Sequence, residues 1–193
     1  MTAITLELSP LIDLTSEQFY QLALANPDIR LERTAKGELI IMPPTGAESG
    51  KRNADLTTDL GIWNRQPKLG VVFDSSTGFT LPNGADRSPD ASWLTLERWE
   101  ALTPKQRKRF LPLCPDFVIE LMSESDSLEK TQEKMQEYIA NGLRLGWLID
   151  TKTQRVEIYR QGQNVEVLQS PVTLFGEDVL PGFLLDLSQI LTS

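Results

Sequence analysis

Two carboxylates stand on segments that otherwise read as apolar strands. In Cys114-Pro115-Asp116-Phe117-Val118-Ile119-Glu120-Leu121-Met122-Ser123, a two-residue period places Asp116, Val118, Glu120 and Met122 on one face and Phe117, Ile119 and Leu121 on the other. Glu120 therefore has apolar neighbours, and a carboxylate buried there is costly unless paired or metal-bound. The earlier stretch Ser88-Pro89-Asp90-Ala91-Ser92-Trp93-Leu94 supplies a second strand-borne acid, Asp90. Asp116 shares the Glu120 face, but at roughly 3.3 Å per residue it lies about 13 Å away along an extended strand, too far to share one ion. Asp90 is the preferred partner. Two carboxylates from adjacent strands repel, and a hard divalent cation relieves the repulsion. Mg²⁺ suits such a site, with Mn²⁺ as its substitute, because it takes oxygen ligands, needs one or two carboxylates and keeps several waters. A cation so held acidifies one water into a nucleophile, polarises a phosphoryl oxygen and neutralises the leaving group, while a nearby lysine can orient the attacking water.

The rest of the composition narrows the chemistry further. The chain has 193 residues with 19 basic and 27 acidic side chains, a formal charge of −8, no histidine and one cysteine. Without histidine there is no Ser-His-Asp or Cys-His system and no imidazole metal ligand. Cys114 alone forms neither an internal disulfide nor a Cys-rich metal site, and a reducing, cytoplasmic setting is expected. Met1 to Leu14 carries Glu7 and Asp13 rather than a basic n-region, and no run of about 18 apolar residues occurs, so neither a leader nor a membrane span is expected. The acidic balance argues against broad non-specific nucleic-acid affinity, though it leaves room for a local basic groove.

Pro and Gly punctuate short elements within what reads as one domain over residues 1–193. Ser16 can cap a helix through Ala25, stopped by Asn26-Pro27. Ile29 to Arg33 and Glu38 to Met42 alternate around Lys36-Gly37 like a hairpin. A second helix is expected from Ala47 to Asn64, then extended segments at Gly70 to Asp74, Thr77 to Leu81 and Asp90 to Leu94. Short helices should span Leu96 to Leu102 and Pro104 to Phe110. After the Asp116 to Met122 strand, Leu128 to Asn141 reads as an amphipathic helix with Leu128, Met135, Tyr138 and Ile139 inward, ended by Gly142. Strands follow at Leu145 to Asp150, Arg155 to Arg160 and Val165 to Gln169. The result is a mixed α/β domain whose Asp116 to Asp150 unit places two strands in parallel.

Other features carry less. Gly46-Ala47-Glu48-Ser49-Gly50-Lys51 has three residues between its glycines instead of four, and Arg52 where a phosphate loop needs Ser or Thr. Lys105, Arg107, Lys108 and Arg109 form a weak candidate for DNA contact beside the plainer reading of a solvated face. Cys114 adjoins an apolar strand and reads as a structural thiol. Trp63, Trp93, Trp99 and Trp147 read as packing residues.

Pro89-Asp90 followed by Glu120 resembles the PD-(D/E)xK nuclease superfamily, in which an Asp and a Glu on neighbouring strands bind magnesium. A closer similarity is to the Uma family of bacterial proteins described as restriction endonucleases. It is carried by Met42-Pro43-Pro44-Thr45-Gly46, Phe73-Asp74-Ser75-Ser76-Thr77-Gly78-Phe79, Arg87-Ser88-Pro89-Asp90-Ala91-Ser92-Trp93, Pro115-Asp116-Phe117-Val118-Ile119-Glu120-Leu121, Lys134-Met135-Gln136-Glu137-Tyr138 and Leu180-Pro181-Gly182-Phe183. The resemblance spans about Ile12 to Phe183. It implies a restriction-endonuclease-like fold, a central mixed sheet flanked by helices, and a metal site. Where the superfamily places a lysine two residues after the strand Glu, this chain has Met122. The resemblance then points to Lys134 on the following helix, whose plain alternative is a solvated face with Glu137 at i+3. It also makes Glu48, at the head of the second helix, a candidate third metal ligand, although an acid in a first helical turn is favoured by the macrodipole alone.

These observations lead to an expected Mg²⁺-dependent endonuclease acting on DNA, with Asp90, Glu120 and Glu48 on the metal and Lys134 at the water. The alternative is a catalytically inactive nuclease fold that binds DNA or a protein. Two-fold DNA makes a homodimer plausible.

Overall fold

The computed structural model describes residues 3–191. A short strand β1 (Ile4–Leu6) precedes helix α1 (Ser16–Ala25). Thr15, one residue before the expected cap, closes the helix N-terminus: its hydroxyl accepts from the Gln18 N–H at 3.2 Å, and the Gln18 side chain accepts from the Thr15 N–H at 2.9 Å. Strands β2 (Arg30–Arg33) and β3 (Leu39–Met42) form the expected hairpin. Helix α2 (Ala47–Arg65) follows, then β4 (Gly70–Asp74), β5 (Phe79–Thr80), β6 (Asp86–Arg87) and β7 (Ala91–Thr95). After α3 (Leu96–Glu100) come β8 (Phe117–Met122), α4 (Leu128–Ala140), β9 (Leu145–Asp150), β10 (Arg155–Arg160), β11 (Glu166–Gln169), β12 (Thr173–Phe175) and β13 (Leu184–Asp186).

Two sheets organise these elements. The larger runs β11-β10-β9-β8-β7-β4, and its one parallel pair is β8–β9, the pair that α4 connects. The smaller, antiparallel throughout, runs β1-β3-β2-β6-β5. The β8 alternation divides the core as the period requires. Phe117, Ile119 and Leu121 pack with Trp147, Leu56 and Leu60 of α2 and the C-terminal residues Leu180, Phe183 and Leu185. Val118 and Met122 pack on the other side with Met135 and Tyr138 of α4. At about 25 cal/mol per Å² of apolar surface, these two layers supply the main driving force of folding.

The architecture is mixed α+β, with a central mixed sheet flanked by helices as expected. One expected helix is reduced: Pro104 to Phe110 holds only a 3₁₀ turn, Gln106–Lys108, because Arg109 turns extended. That turn delivers the Phe110 ring onto Gly78, where an added Cβ would lie 2.4 Å from it. Strands β1, β6, β12 and β13 are too short to show a period in the sequence. Among the described residues, no helix is long and apolar enough to cross a membrane.

Candidate active site

The antiparallel register pairs Ala91 with Ile119, so Asp90, one step before β7, stands across from Glu120. Side chains directly opposite in such a pair have Cβ atoms about 5 Å apart. The Asp90 carboxylate is held by the Leu121 N–H at 2.9 Å and by Asn53 Nδ2 of α2 at 2.9 Å. Glu120 Oε1 accepts from the Tyr138 hydroxyl at 2.9 Å and lies 2.9 Å from Lys134 Nζ. Lys134 and Tyr138 are four residues apart on α4 and therefore share a face. The lysine amine reaches beyond the large sheet to the small one, where Glu32 Oε1 accepts from it at 2.9 Å.

Glu32 is the hinge between the two sheets. It also accepts from the Ser88 N–H at 3.0 Å and from Arg87 Nη1 at 3.1 Å, while Arg87 Nε donates to Glu137 Oε2 at 2.6 Å. Thus β2, β6, β7, β8 and α4 converge on one chain of charges. It contains four carboxylates, Glu32, Asp90, Glu120 and Glu137, but two cations, Arg87 and Lys134.

This imbalance shapes the ionisation of the group. Burial pushes Glu120 up to about 7, with Asp90 and Glu32 adding to the rise against the pull of Lys134. Burial also raises Asp90, more than its hydrogen bonds and the fields of Lys134 and Arg30 lower it. At Glu32 burial is outweighed by Lys134 and Arg87, which hold the carboxyl down at about 2. Burial disfavours the Lys134 ammonium, yet Glu120 and Glu32 together keep it well above its ordinary range and therefore charged.

The remaining sequence candidates do not join this chain of charges. Glu48 opens α2 on the rim of the same cleft, with a side chain 81 % exposed and 3.8 Å from Arg52 rather than bonded to Asp90 or Glu120. Five residues further on, Asn53 occupies the helix face that meets Asp90. Met122 is buried against the α4 side of the sheet. Asp116 accepts from Arg98 and the Thr95 N–H, away from Glu120. In the basic cluster, Arg109 pairs with Glu17 and lies over Tyr20, while Arg107 lies over Trp99. Cys114 is buried, and burial pushes its thiol up to about 12.

Sequence reasoning missed Glu32, Arg87, Glu137 and Asn53, and took Tyr138 only as packing. Two local signals point to the first two. Arg30-Leu31-Glu32-Arg33 is a strand with charge on both faces, and Arg87 stands three residues before Asp90.

The site opens into a cleft of about 1330 Å³, bounded by the β2–β3 hairpin, the start of α2 and the loop from Ser123 to Ser127. Residues 16–188 match the Uma2 family, described as "putative restriction endonuclease". The chain belongs to this family. The Uma2 chain is also similar in fold to a solved structure from Anabaena variabilis described as a putative nuclease belonging to DUF820. The TM-score is 0.76 at 20% identity, covering 92% of this chain and 97% of that one. No curated protein matches the Uma2 chain at a significant level.

The donor set of this Uma2 site suits a hard cation. Asp90 and Glu120 offer carboxylate oxygens from adjacent strands, and Asn53 Oδ1 is buried beside Asp90 with no hydrogen-bond partner. Such an orphan acceptor is where a cation-bound water can donate. Among the described residues no group of three or more acids or thiols is already arranged as a metal cage.

Proposed function

We propose that this protein is a Mg²⁺-dependent endonuclease hydrolysing DNA phosphodiester bonds, with Asp90 and Glu120 as the metal-holding pair and Lys134 at the attacking water. The observation that carries the proposal is the excess of buried carboxylate around an amine that two of those carboxylates hold in place. A divalent cation bound there would acidify a water, polarise the phosphoryl group and offset charge on the leaving oxygen.

The residues supply the rest. Asp90 and Glu120 are fixed before any ligand arrives, by Leu121, Asn53 and Tyr138, so little reorganisation is needed. Lys134 is charged and is no base; its ammonium donates hydrogen bonds, orienting water or a non-bridging phosphoryl oxygen. Were Glu120 to hold a cation, Glu32 would still hold the amine, anchored in turn by Arg87 and Ser88. In this way Lys134 takes over from the α4 side the position that Met122 leaves empty on the strand.

The test is titration of Mg²⁺ or Mn²⁺ into purified protein with plasmid DNA, following metal binding and nicking together. The expected result is metal-dependent nicking by the wild type and none by Glu120→Ala, with the variant's fold intact by circular dichroism. Full cleavage by that variant removes Glu120 from the mechanism, and metal binding without nicking favours a silent binding module.

A further inference from the structure

Strand β2 brings a second residue to the cleft with Glu32. Arg30 lies two positions earlier, and the strand period places both side chains on one face. The charged partners of the two residues differ completely. Both cations of the buried chain are neutralised: Arg87 by Glu32 and Glu137, Lys134 by Glu32 and Glu120. Among the described residues Arg30 forms no ion pair. Of its five donors one is used, Nη2 donating to the Ser75 carbonyl at 3.1 Å. Its Nε is buried with no hydrogen-bond partner.

A half-buried guanidinium with a vacant edge is costly unless something accepts from it. Its position excludes the plain reading of a solvated surface charge. Arg30 lines the cleft with Asp90 and Glu120 and lies near enough to Asp90 for its field to act on that carboxyl. It is also pre-oriented, since the Ser75 carbonyl fixes one arm. By contrast the cleft's Lys36, Lys130 and Lys152 are exposed on flexible stems. A planar fork with adjacent free donors fits the oxygens of a phosphate better than a point charge does.

We infer that Arg30 binds a phosphate of the nucleic-acid backbone, docking the strand beside the Asp90–Glu120 pair with a positive charge held in place at this end of the cleft. The inference rests on the nuclease reading above, and it concerns binding rather than cleavage. Arg30 reaches the substrate and leaves the metal ligands to their own partners.

The experiment measures binding of a short labelled duplex in Ca²⁺ across a series of salt concentrations, with Ca²⁺ binding followed separately without DNA. For Arg30→Gln, affinity should fall about tenfold at fixed salt, and the slope of log K against log salt should shrink by about 0.9, one phosphate contact. Ca²⁺ affinity without DNA should not fall, because removing a positive charge near Asp90 can only favour the cation. Arg30→Lys, which keeps the charge and covers the case in which the glutamine variant fails to fold, should retain the slope and lose affinity severalfold. Wild-type affinity and slope in Arg30→Gln, or wild-type affinity in Arg30→Lys, would overturn the inference while leaving the nuclease reading intact. A parallel loss of Ca²⁺ affinity would overturn it too, by showing that Arg30 acts through Asp90. Absence of duplex binding by the wild type would overturn both readings, whereas duplex binding in Ca²⁺ with no cleavage on exchange into Mg²⁺ or Mn²⁺ would count against the nuclease alone.

Discussion

Neighbouring residues on two adjacent strands, Glu32-Arg33 on β2 and Asp86-Arg87 on β6, make two buried ion pairs that point to opposite faces of one sheet. On one face Arg33 Nε donates to Asp86 Oδ2 at 2.9 Å, and its other donors end on the Leu14 and Gly84 carbonyls and the Ser16 hydroxyl. Thr80 donates to the remaining Asp86 oxygen at 2.6 Å. One charge of each sign is present, each of the three guanidinium nitrogens of Arg33 has an acceptor, and the result ties α1 and the turn before β6 to the sheet. On the other face the same two strands feed Arg87 and Glu32 into a group that also holds Lys134, Glu120, Asp90 and Glu137 and is left with surplus acid. Buried charge alone is therefore no mark of a site; a balanced pair is architecture, and an unbalanced group is poised for a ligand.

Asp90→Asn tests the unbalanced side most severely. The amide keeps the shape and can still accept from Leu121, but it removes a metal-holding charge. Cleavage should fall at least about a thousandfold, roughly 4 kcal/mol of barrier. Thermal unfolding without metal should show the variant more stable, by roughly 0.5–2 kcal/mol, because one uncompensated buried carboxylate is gone. A destabilised Asp90→Asn would erase the distinction between the two groups. The balanced side should respond oppositely: Asp86→Ala leaves Arg33 buried without its partner and should cost about 3–5 kcal/mol of stability, measured by denaturant unfolding. Cleavage per folded molecule should stay unchanged.

Glu32 joins both behaviours, since it is fully paired and yet belongs to the unbalanced group. Its carboxyl is held at about 2 against an ordinary 4.5, a depression worth about 3 kcal/mol. The sign follows from the direction. A lowered folded-state value stabilises the protein above the unfolded-state value and ceases to do so as pH falls through the folded one. Glu32→Gln should accordingly be less stable than wild type by about that amount at neutral pH, and the gap should narrow as pH drops from about 5 toward about 2. A gap independent of pH would mean that Glu32 contributes through packing rather than charge.

The part of this arrangement legible in the sequence is the part that a strand period reveals. Glu120 among Phe117, Ile119 and Leu121, and Asp90 before an apolar run, are local anomalies, and the parallel β8–β9 pair follows from the helix between them. Lys134 was not legible from its surroundings, because Lys130 to Glu137 reads as a solvated mixed-charge face until the sheet beneath it is known. Glu32 and Asn53 were hidden for a stronger reason. Each acts across a sequence separation set by sheet order: Glu32 meets Lys134 because β2 pairs with β6, and Asn53 meets Asp90 because α2 packs on β7. Neither pairing is encoded within either segment. The C-terminal strands β12 and β13, three residues each, fell below the length at which alternation can be read.

Glu48 separates these two kinds of inference and gives the smallest expected effect. Its place in the first turn of α2 satisfies the helix dipole, and its exposed side chain lies beside Arg52, four residues on. The helix turns Asn53, not Glu48, toward Asp90. Glu48→Ala should therefore change cleavage and Mg²⁺ affinity less than about twofold and cost no more than about 0.5 kcal/mol, the scale of an exposed i,i+4 pair and a first-turn charge. Asn53→Ala should do more, since it strips a hydrogen bond from a buried carboxylate and removes the orphan oxygen beside it. If Mg²⁺ titrations instead show Glu48→Ala weakened tenfold or more and Asn53→Ala unaffected, the head of α2 must swing into the cleft when the cation binds. The unbalanced group would then be one acid larger than the resting arrangement displays.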